Sequence, residues 1–477
     1  MQESVEKTRR TWVLALTSLA SFMVSLDALV VTTALTTIRR DLGVSIESLE
    51  WTVNAYTLSF AVLLIMGAEL GDRFGRRRMF ITGLALFVGA SAACALSCNV
   101  GWLIAARAVQ GSGAALVTPL ALTQVSEAFP PQLRGRAMGI YIGVTGLAVL
   151  TGPVLGGAIA QGLAWQWIFW LNVPIGLVLI TFTLLRIQES SGPRAPRDII
   201  GLLSVSGASL GIVWALVRGN NAGWGSLEII ATLTAGVLLA AVFVAWESHT
   251  RAPMVPMQFF RQRAFSAGIA AHFLLQASLL GSLFFMAQFL QTVQGFGPLS
   301  TGVRLLPWTV AVFAVAPLAG TLINHLGERF LVVSGLLLQA AGMAWIGLLA
   351  TPGRAYPLFI APLVIAGLGV SMALPASQNV VVSAVAPVEI GKASGTFNMF
   401  RQLGGAFGVA ILAAVFATRG NLGSAQTFSN GFAPAMEISA LLSLLGAIVG
   451  LVIPGRRKVA ARQTSAGKSE PVQQTAS

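Results

Sequence analysis

The sequence predicts an all-α integral membrane protein: two six-helix bundles with two further transmembrane helices inserted between them, fourteen spans in all. Three observations carry that expectation. Fourteen apolar segments each approach membrane length, the basic residues fall unevenly between alternate loops, and a set of short motifs recurs at nearly one offset.

The apolar segments come first. The 477 residues are 55% hydrophobic and only 10% charged, with a mean hydropathy of +0.78. A water-soluble domain carries about 25% charged residues, so this chain has too few polar side chains to face water throughout. A helical span needs about 20 apolar residues. Spans are expected at 12–36, 48–70, 79–98, 101–124, 137–160, 166–186, 199–217, 228–247, 265–290, 302–323, 330–350, 356–379, 394–417 and 435–454. The first apolar run, Thr11 to Leu35, is too long for the core of a secretory leader.

The charge pattern fixes the expected orientation. The net charge of +13 would suggest a nucleic-acid partner on a soluble chain. Here 22 of the 30 basic residues fall in the loops on the N-terminal side and five in the opposite loops, with Arg107, Arg304 and Arg401 inside spans. Basic loops stay in the cytoplasm. Both termini are therefore expected in the cytoplasm of a cell-membrane protein that binds no nucleic acid.

The repeat is the third element. Gly111-Ser112-Gly113 with Pro119 matches Gly367-Leu368-Gly369 with Pro375, and Pro131 matches Pro387, each at offset 256; Asp72-Arg73-Phe74-Gly75 matches Asn324-His325-Leu326-Gly327 at offset 252. The expected order is a cytoplasmic N-terminal tail (1–11), a first bundle (12–190), two inserted helices (191–250), a cytoplasmic linker (251–264), a second bundle (265–454) and a disordered polar tail (455–477). Duplicated halves around a midplane site are a transporter architecture. One chain supplies both halves, so a monomer is expected.

Enzyme chemistry finds no foothold. The chain has three histidines, two cysteines (Cys94 and Cys98, one helical turn apart), no phosphate-binding GxxxxGK[ST] loop and no HExxH. No catalytic residue, metal or cofactor is expected, and ATP is not the expected energy source.

Four motifs narrow the function. Gly67, Glu69, Gly71, Asp72, Arg73, Gly75, Arg76 and Arg77 form a glycine-punctuated basic loop between the second and third spans. Arg107 lies in the fourth span within Arg107-Ala108-Val109-Gln110-Gly111. Gly143, Gly152, Pro153, Gly156 and Gly157 mark the fifth span, where glycines permit close helix approach and Pro153 a bend. Leu26-Asp27 in the first span, Trp167-Ile168-Phe169 and Asn172-Val173-Pro174 in the sixth, and Arg401-Gln402-Leu403-Gly404-Gly405 in the thirteenth complete the set. Together they resemble the major facilitator superfamily, and within it the fourteen-span drug:proton antiporters. The chain departs from that pattern at Thr32, Thr36, Gln166 and Asn324. The resemblance implies a secondary transporter exporting small amphipathic, drug-like compounds in exchange for protons across the lipid bilayer, with Asp72 and Arg73 as a cytoplasmic latch. The alternative is a dedicated proton-coupled exporter of one metabolite, lipid or self-made antibiotic.

Of 17 acidic residues, only Asp27 falls deep within an expected span. Counting about 1.5 Å per residue, Asp27 and Arg107 lie at similar depth below the outer surface. A buried charge needs a partner, so the two are expected to pair, with Asp27 as the proton-coupling carboxylate and Arg107 its modulator. Candidate cavity residues are Met23, Asn54, Tyr56, Phe284, Gln288, Gln291, Asn379, Asn398 and Arg401, and His272 is a further candidate proton carrier.

Overall fold

The computed structural model describes residues 2–191, 198–250, 253–386 and 389–455; most of the expected C-terminal tail, and residues 192–197, lie outside this set. The described residues are almost entirely helical. The first half comprises α1 (Gln2–Leu42), α2 (Ile46–Phe74), α3 (Arg76–Ala95), α4 (Val100–Ala128), α5 (Pro131–Gly162), α6 (Trp167–Trp170) and α7 (Asn172–Arg186). Then come α8 (Ile199–Ala222) and α9 (Leu227–His249), and a 3-10 turn, Met257–Arg261, within the linker. The second half comprises α10 (Arg263–Thr292), α11 (Pro298–Arg304), α12 (Leu306–Leu326), α13 (Glu328–Leu348), α14 (Pro357–Ser383), α15 (Ile390–Arg419) and α16 (Ala425–Gly450).

Thirteen helical stretches among the described residues are long and apolar enough to cross a membrane, α6 and α7 forming one of them. The expected span 302–323 coincides with α11 and α12, whose side chains at 313–321 are outside the described set. The protein is therefore a multi-pass membrane protein. Large apolar side chains such as Leu185, Leu238 and Leu348 stay exposed on its surface, as lipid-facing residues must.

Local chemistry sets the helix ends. Ser45 and Asn99 accept from the amides of Ser48 and Trp102 to start α2 and α4. Ser424 and Thr427 form a reciprocal capping box on α16. Gly75 (φ 104°) joins α2 to α3, and Gly327 (φ 82°) joins α12 to α13. Both turns use a left-handed backbone that a side chain would strain, and the two glycines are 252 residues apart.

The repeat is physical. Gly111 of α4 abuts the Tyr56 carbonyl of α2, while Gly367 of α14 abuts the Trp308 carbonyl of α12. Gly113 packs on Gly83 and Phe87 of α3, while Gly369 packs on Gly335 and Gln339 of α13. Each contact in the first half has its partner in the second, offset by 256 on one helix and 252 on the other. Small residues let these backbones meet without a side chain between them.

The inserted helices flank the seam between the halves. Trp214 of α8 packs on Trp51 of α2 (5.4 Å between ring centres), and Asn220 of α8 donates to the Ala414 carbonyl of α15 at 2.5 Å. At the base of this pair, Asp198 accepts from Gly201 N (2.7 Å) and Trp246 Nε1 (2.7 Å), and Glu247 accepts from Val255 N (3.0 Å). The remaining oxygens, Asp198 Oδ2 and Glu247 Oε1, are buried without a donor and lie 2.7 Å from the same point beside Gly201. An amide would supply the missing hydrogen. Glu247→Gln is expected to stabilise the purified protein by about 1 kcal/mol, seen as a higher melting temperature; a lower one would mean that the carboxyl pair already holds its own proton.

Candidate functional site

Asp27 and Arg107 meet inside the first bundle. Arg107 Nη1 lies 2.5 Å from Asp27 Oδ2, with the two side chains each 1% exposed. The other carboxylate oxygen, Oδ1, accepts from Gln110 Nε2 (2.9 Å) and Asn172 Nδ2 (2.8 Å). Arg107 in turn donates from Nε to the Thr52 carbonyl (3.1 Å) and from Nη1 to Gln110 Oε1 (2.7 Å). Ser91 accepts from both Gln110 (2.6 Å) and Asn172 (3.2 Å). The guanidinium also lies 4.2 Å from the Tyr56 ring centre, a cation–π contact. Five elements, α1, α2, α3, α4 and α7, thus converge on one carboxylate. Paired and hydrogen-bonded in this way, the Asp27 carboxyl ties α1 to α4 and α7.

The basic loop is tied within its own bundle. Asp72 accepts from Arg76 Nε at 2.8 Å, and Arg76 also pairs with Glu127 of α4. Glu189, after α7, accepts from the backbone amides of Arg77 (2.9 Å) and Arg78 (3.2 Å). Gly67 rests on the Ala115 backbone and Gly71 on Leu120, so α2 and α4 touch closely here. Arg73 is exposed beside the Phe74 ring. Asp72, one of the two residues expected to form the cytoplasmic latch, is thus bonded here to Arg76 of α3.

The halves pack along α2 and α15, through Leu58, Val62, Met399 and Leu403, and make polar and backbone contacts at the end away from the termini. There Gly157 of α5 abuts the Pro298 carbonyl, and Gly302 of α11 abuts the Pro153 carbonyl. Gln291 of α10 donates to the Thr33 carbonyl of α1 at 2.9 Å and accepts from Thr36, and Gln161 accepts from Leu299 N at 3.1 Å. Gly152 and Gly156 serve a different purpose, seating α1 at Leu29 and Val30. The expectation that Gly143 lets helices pack closely is corrected. No described atom lies within 4 Å of where its Cβ would be. Gly143 precedes Gly157 by 14 residues, nearly four turns, so it occupies the same face of α5. That face meets α11 at Gly157 and meets no described atom at Gly143.

Residues 17–409 of this chain, and again 309–473, match the family model described as Major Facilitator Superfamily. The chain belongs to the Major Facilitator Superfamily. It is 36% identical over 403 residues (83% of this chain, 74% of the relative) to the tetracenomycin C resistance and export protein of Streptomyces glaucescens. It is 35% identical over 412 residues (86% and 76%) to the multidrug resistance protein Stp of Mycobacterium tuberculosis. Over 479 residues (97% and 95%) it is 33% identical to the puromycin resistance protein of Streptomyces alboniger. A crystal structure of a POT family transporter in complex with 5-aminolevulinic acid superposes with a TM-score of 0.71 over 93% of this chain and 96% of that one, at 15% identity. That likeness bears on the fold alone. As a superfamily member the protein is a membrane transporter, not an enzyme.

In this conformation several of the expected cavity residues are closed off from solvent. Met23, Asn54, Tyr56, Phe284 and Gln288 are sealed, each at most 1% exposed. Tyr56 supports Arg107 and donates to the Val24 carbonyl (3.2 Å), Phe284 stacks edge-on against Phe285, and Gln288 donates to the Phe284 carbonyl (3.3 Å). Gln291 belongs to the far-end closure. Asn379 bonds Glu328 at 2.9 Å, at the opposite end of α14 from that closure. Polarity within a span marked hydrogen-bonding need, not position on the seam. Asn398 (bonded to the Ser394 carbonyl, 2.9 Å) and Arg401 remain half-buried on α15. Gln110, Asn172 and Ser91 were missed as site residues, although Gln110 follows Arg107 by one helical turn and so shares its face.

Proposed function

We propose that this protein exports small amphipathic, drug-like compounds across the cytoplasmic membrane in exchange for protons, by alternating access. The observation that carries the reading is the Asp27 cluster: a membrane-buried carboxylate whose oxygens are filled by Arg107, Gln110 and Asn172. Its charge state reaches the gate through α1. Thr33 and Thr36, which hold Gln291 of the other bundle, lie about 9 and 14 Å further along the same helix at 1.5 Å per residue. Proton uptake at Asp27 releases Arg107 and lets α1 shift against α4, and the far-end contacts shift with it. The positive-inside pattern supports placing both termini in the cytoplasm. On that orientation, the closed contacts at Gly157, Gly302 and Gln291 lie on the outer side and favour this as the conformation that loads cargo from inside. The names of the relatives support antibiotics and drugs as the cargo class. The proton gradient, with no cofactor, is the energy source of this reading.

Energised cells expressing the protein are expected to expel ethidium, and a protonophore to stop them. Ethidium efflux that survives the protonophore would overturn proton coupling. A well-expressed protein that leaves ethidium untouched would shift the reading to export of one dedicated compound, which the tetracenomycin C and puromycin relatives favour.

A further inference from the structure

Arg401 lies eleven residues into α15, about 16 Å along the helix. Among the described residues it makes no hydrogen bond or ion pair, and its Nε is buried without an acceptor. Tyr141, on α5 of the opposite bundle, is within electrostatic reach of it. A guanidinium at this depth without a counter-charge is costly, and such residues mark sites. Asp27 cannot serve as the counter-charge, because both its oxygens are already occupied in another part of the first bundle.

The neighbours of Arg401 define what would fit. His272 of α10 feels its charge and is 1% exposed. Ser377 Oγ lies 2.9 Å from both the Leu374 carbonyl and His272 Nδ1; with its proton on the carbonyl, the ring N–H donates to Ser377 Oγ. In the neutral ring Nε2 is then a bare acceptor, and it is buried with no partner among the described residues. The imidazole packs tilted against Phe397, 4.1 Å between ring centres and 37° between planes. From the first bundle, Tyr141 and Ser21 present hydroxyls bonded to each other at 2.8 Å. The repeat-mate of Arg401 at offset 256 is Thr145, one turn along α5 from Tyr141, so the two positions match in depth between the halves. The seam therefore offers one cation, one bare acceptor, two hydroxyls and an aromatic face.

We infer that Arg401 receives the negatively charged group of an amphipathic organic monoanion, and that His272 Nε2 accepts a hydrogen bond from a hydroxyl beside that charge. That the anion is cargo rests on the exporter reading; that it binds does not.

The test uses the purified full chain and three probes: 3-hydroxy-2-naphthoate, its uncharged methyl ester, and 2-naphthoate, which lacks the hydroxyl. Wild type is expected to bind the hydroxy acid about 10-fold more tightly than the ester. Arg401→Gln should erase that preference, Arg401→Lys, which keeps the charge, should retain part of it, and His272→Phe should erase the advantage of the hydroxy acid over 2-naphthoate. Equal binding of acid and ester by wild type, or an undiminished preference in Arg401→Gln, would overturn the inference. Should Arg401→Gln fail to fold, the wild-type acid-to-ester ratio and Arg401→Lys still decide it. Binding needs no proton gradient. Acid preference with no gradient-driven transport would therefore sink the exporter reading alone, and gradient-driven ethidium transport without acid preference would sink this inference alone.

Discussion

Asp27→Asn is expected to abolish proton-driven transport and to lower the melting temperature together. Arg107 is fully buried and Asp27 is its counter-ion. Breaking a buried pair from one side costs about 3–5 kcal/mol, because the remaining charge is left uncompensated. A single variant therefore cannot separate coupling from stability. Asp27→Asn combined with Arg107→Gln removes both charges and leaves two amides able to bond Gln110, Asn172 and the Thr52 carbonyl. That double variant should regain most of the lost melting temperature while remaining unable to drive cargo with an imposed pH gradient, although it should still exchange cargo down a concentration gradient. A double variant that recovers pH-driven transport would reduce the pair to a structural tie between α1 and α4.

The second large effect belongs to α5. A side chain at Gly157 would collide with the Pro298 carbonyl where the bundles close. Overpacking of this kind costs about 1–3 kcal/mol, which moves a two-state equilibrium by about one to two orders of magnitude. Gly157→Val is expected to hold the far end apart and cut transport at least about 10-fold. Gly143→Val, on the same face but with open space around it here, leaves this conformation unharmed and should burden only a conformation closed at the other end. The two variants should then shift the equilibrium in opposite directions. The readout is labelling of Thr36→Cys by a membrane-impermeant thiol reagent, in a background where the exposed Cys98 is replaced. Equal labelling in both variants would refute the closure assigned to Gly157.

Much of this was legible in the residues. The Asp27–Arg107 pair followed from depth counting and the cost of a lone buried charge, because a charge in lipid has few alternatives. The repeat followed from glycine spacing, since glycine marks backbone contact and contacts survive in both halves. The polar residues were less legible. Asn54, Gln288 and Asn379 looked alike as amides inside spans, yet the first two are sealed within bundles and the third bonds Glu328. Helical period gives the face of a residue but not which neighbour that face meets. Gly143 failed for another reason: its role depends on conformation, and one sequence serves both states. Gln110 and Asn172 were visible in their motifs, but nothing local tied them to Asp27 on another helix.

The solitary carboxylate of the coupling cluster also sets an electrical account. Under the proposed exchange, one such group would carry one proton per cycle. A neutral cargo leaving as that proton enters moves one net charge across the membrane, and a monoanion leaving moves two. Each charge moved through 100 mV is worth about 2.3 kcal/mol. Anion export would draw twice the voltage drive of neutral export, a difference of about 2.3 kcal/mol that would appear as a steeper dependence of the cargo gradient on membrane potential in proteoliposomes clamped with potassium and valinomycin.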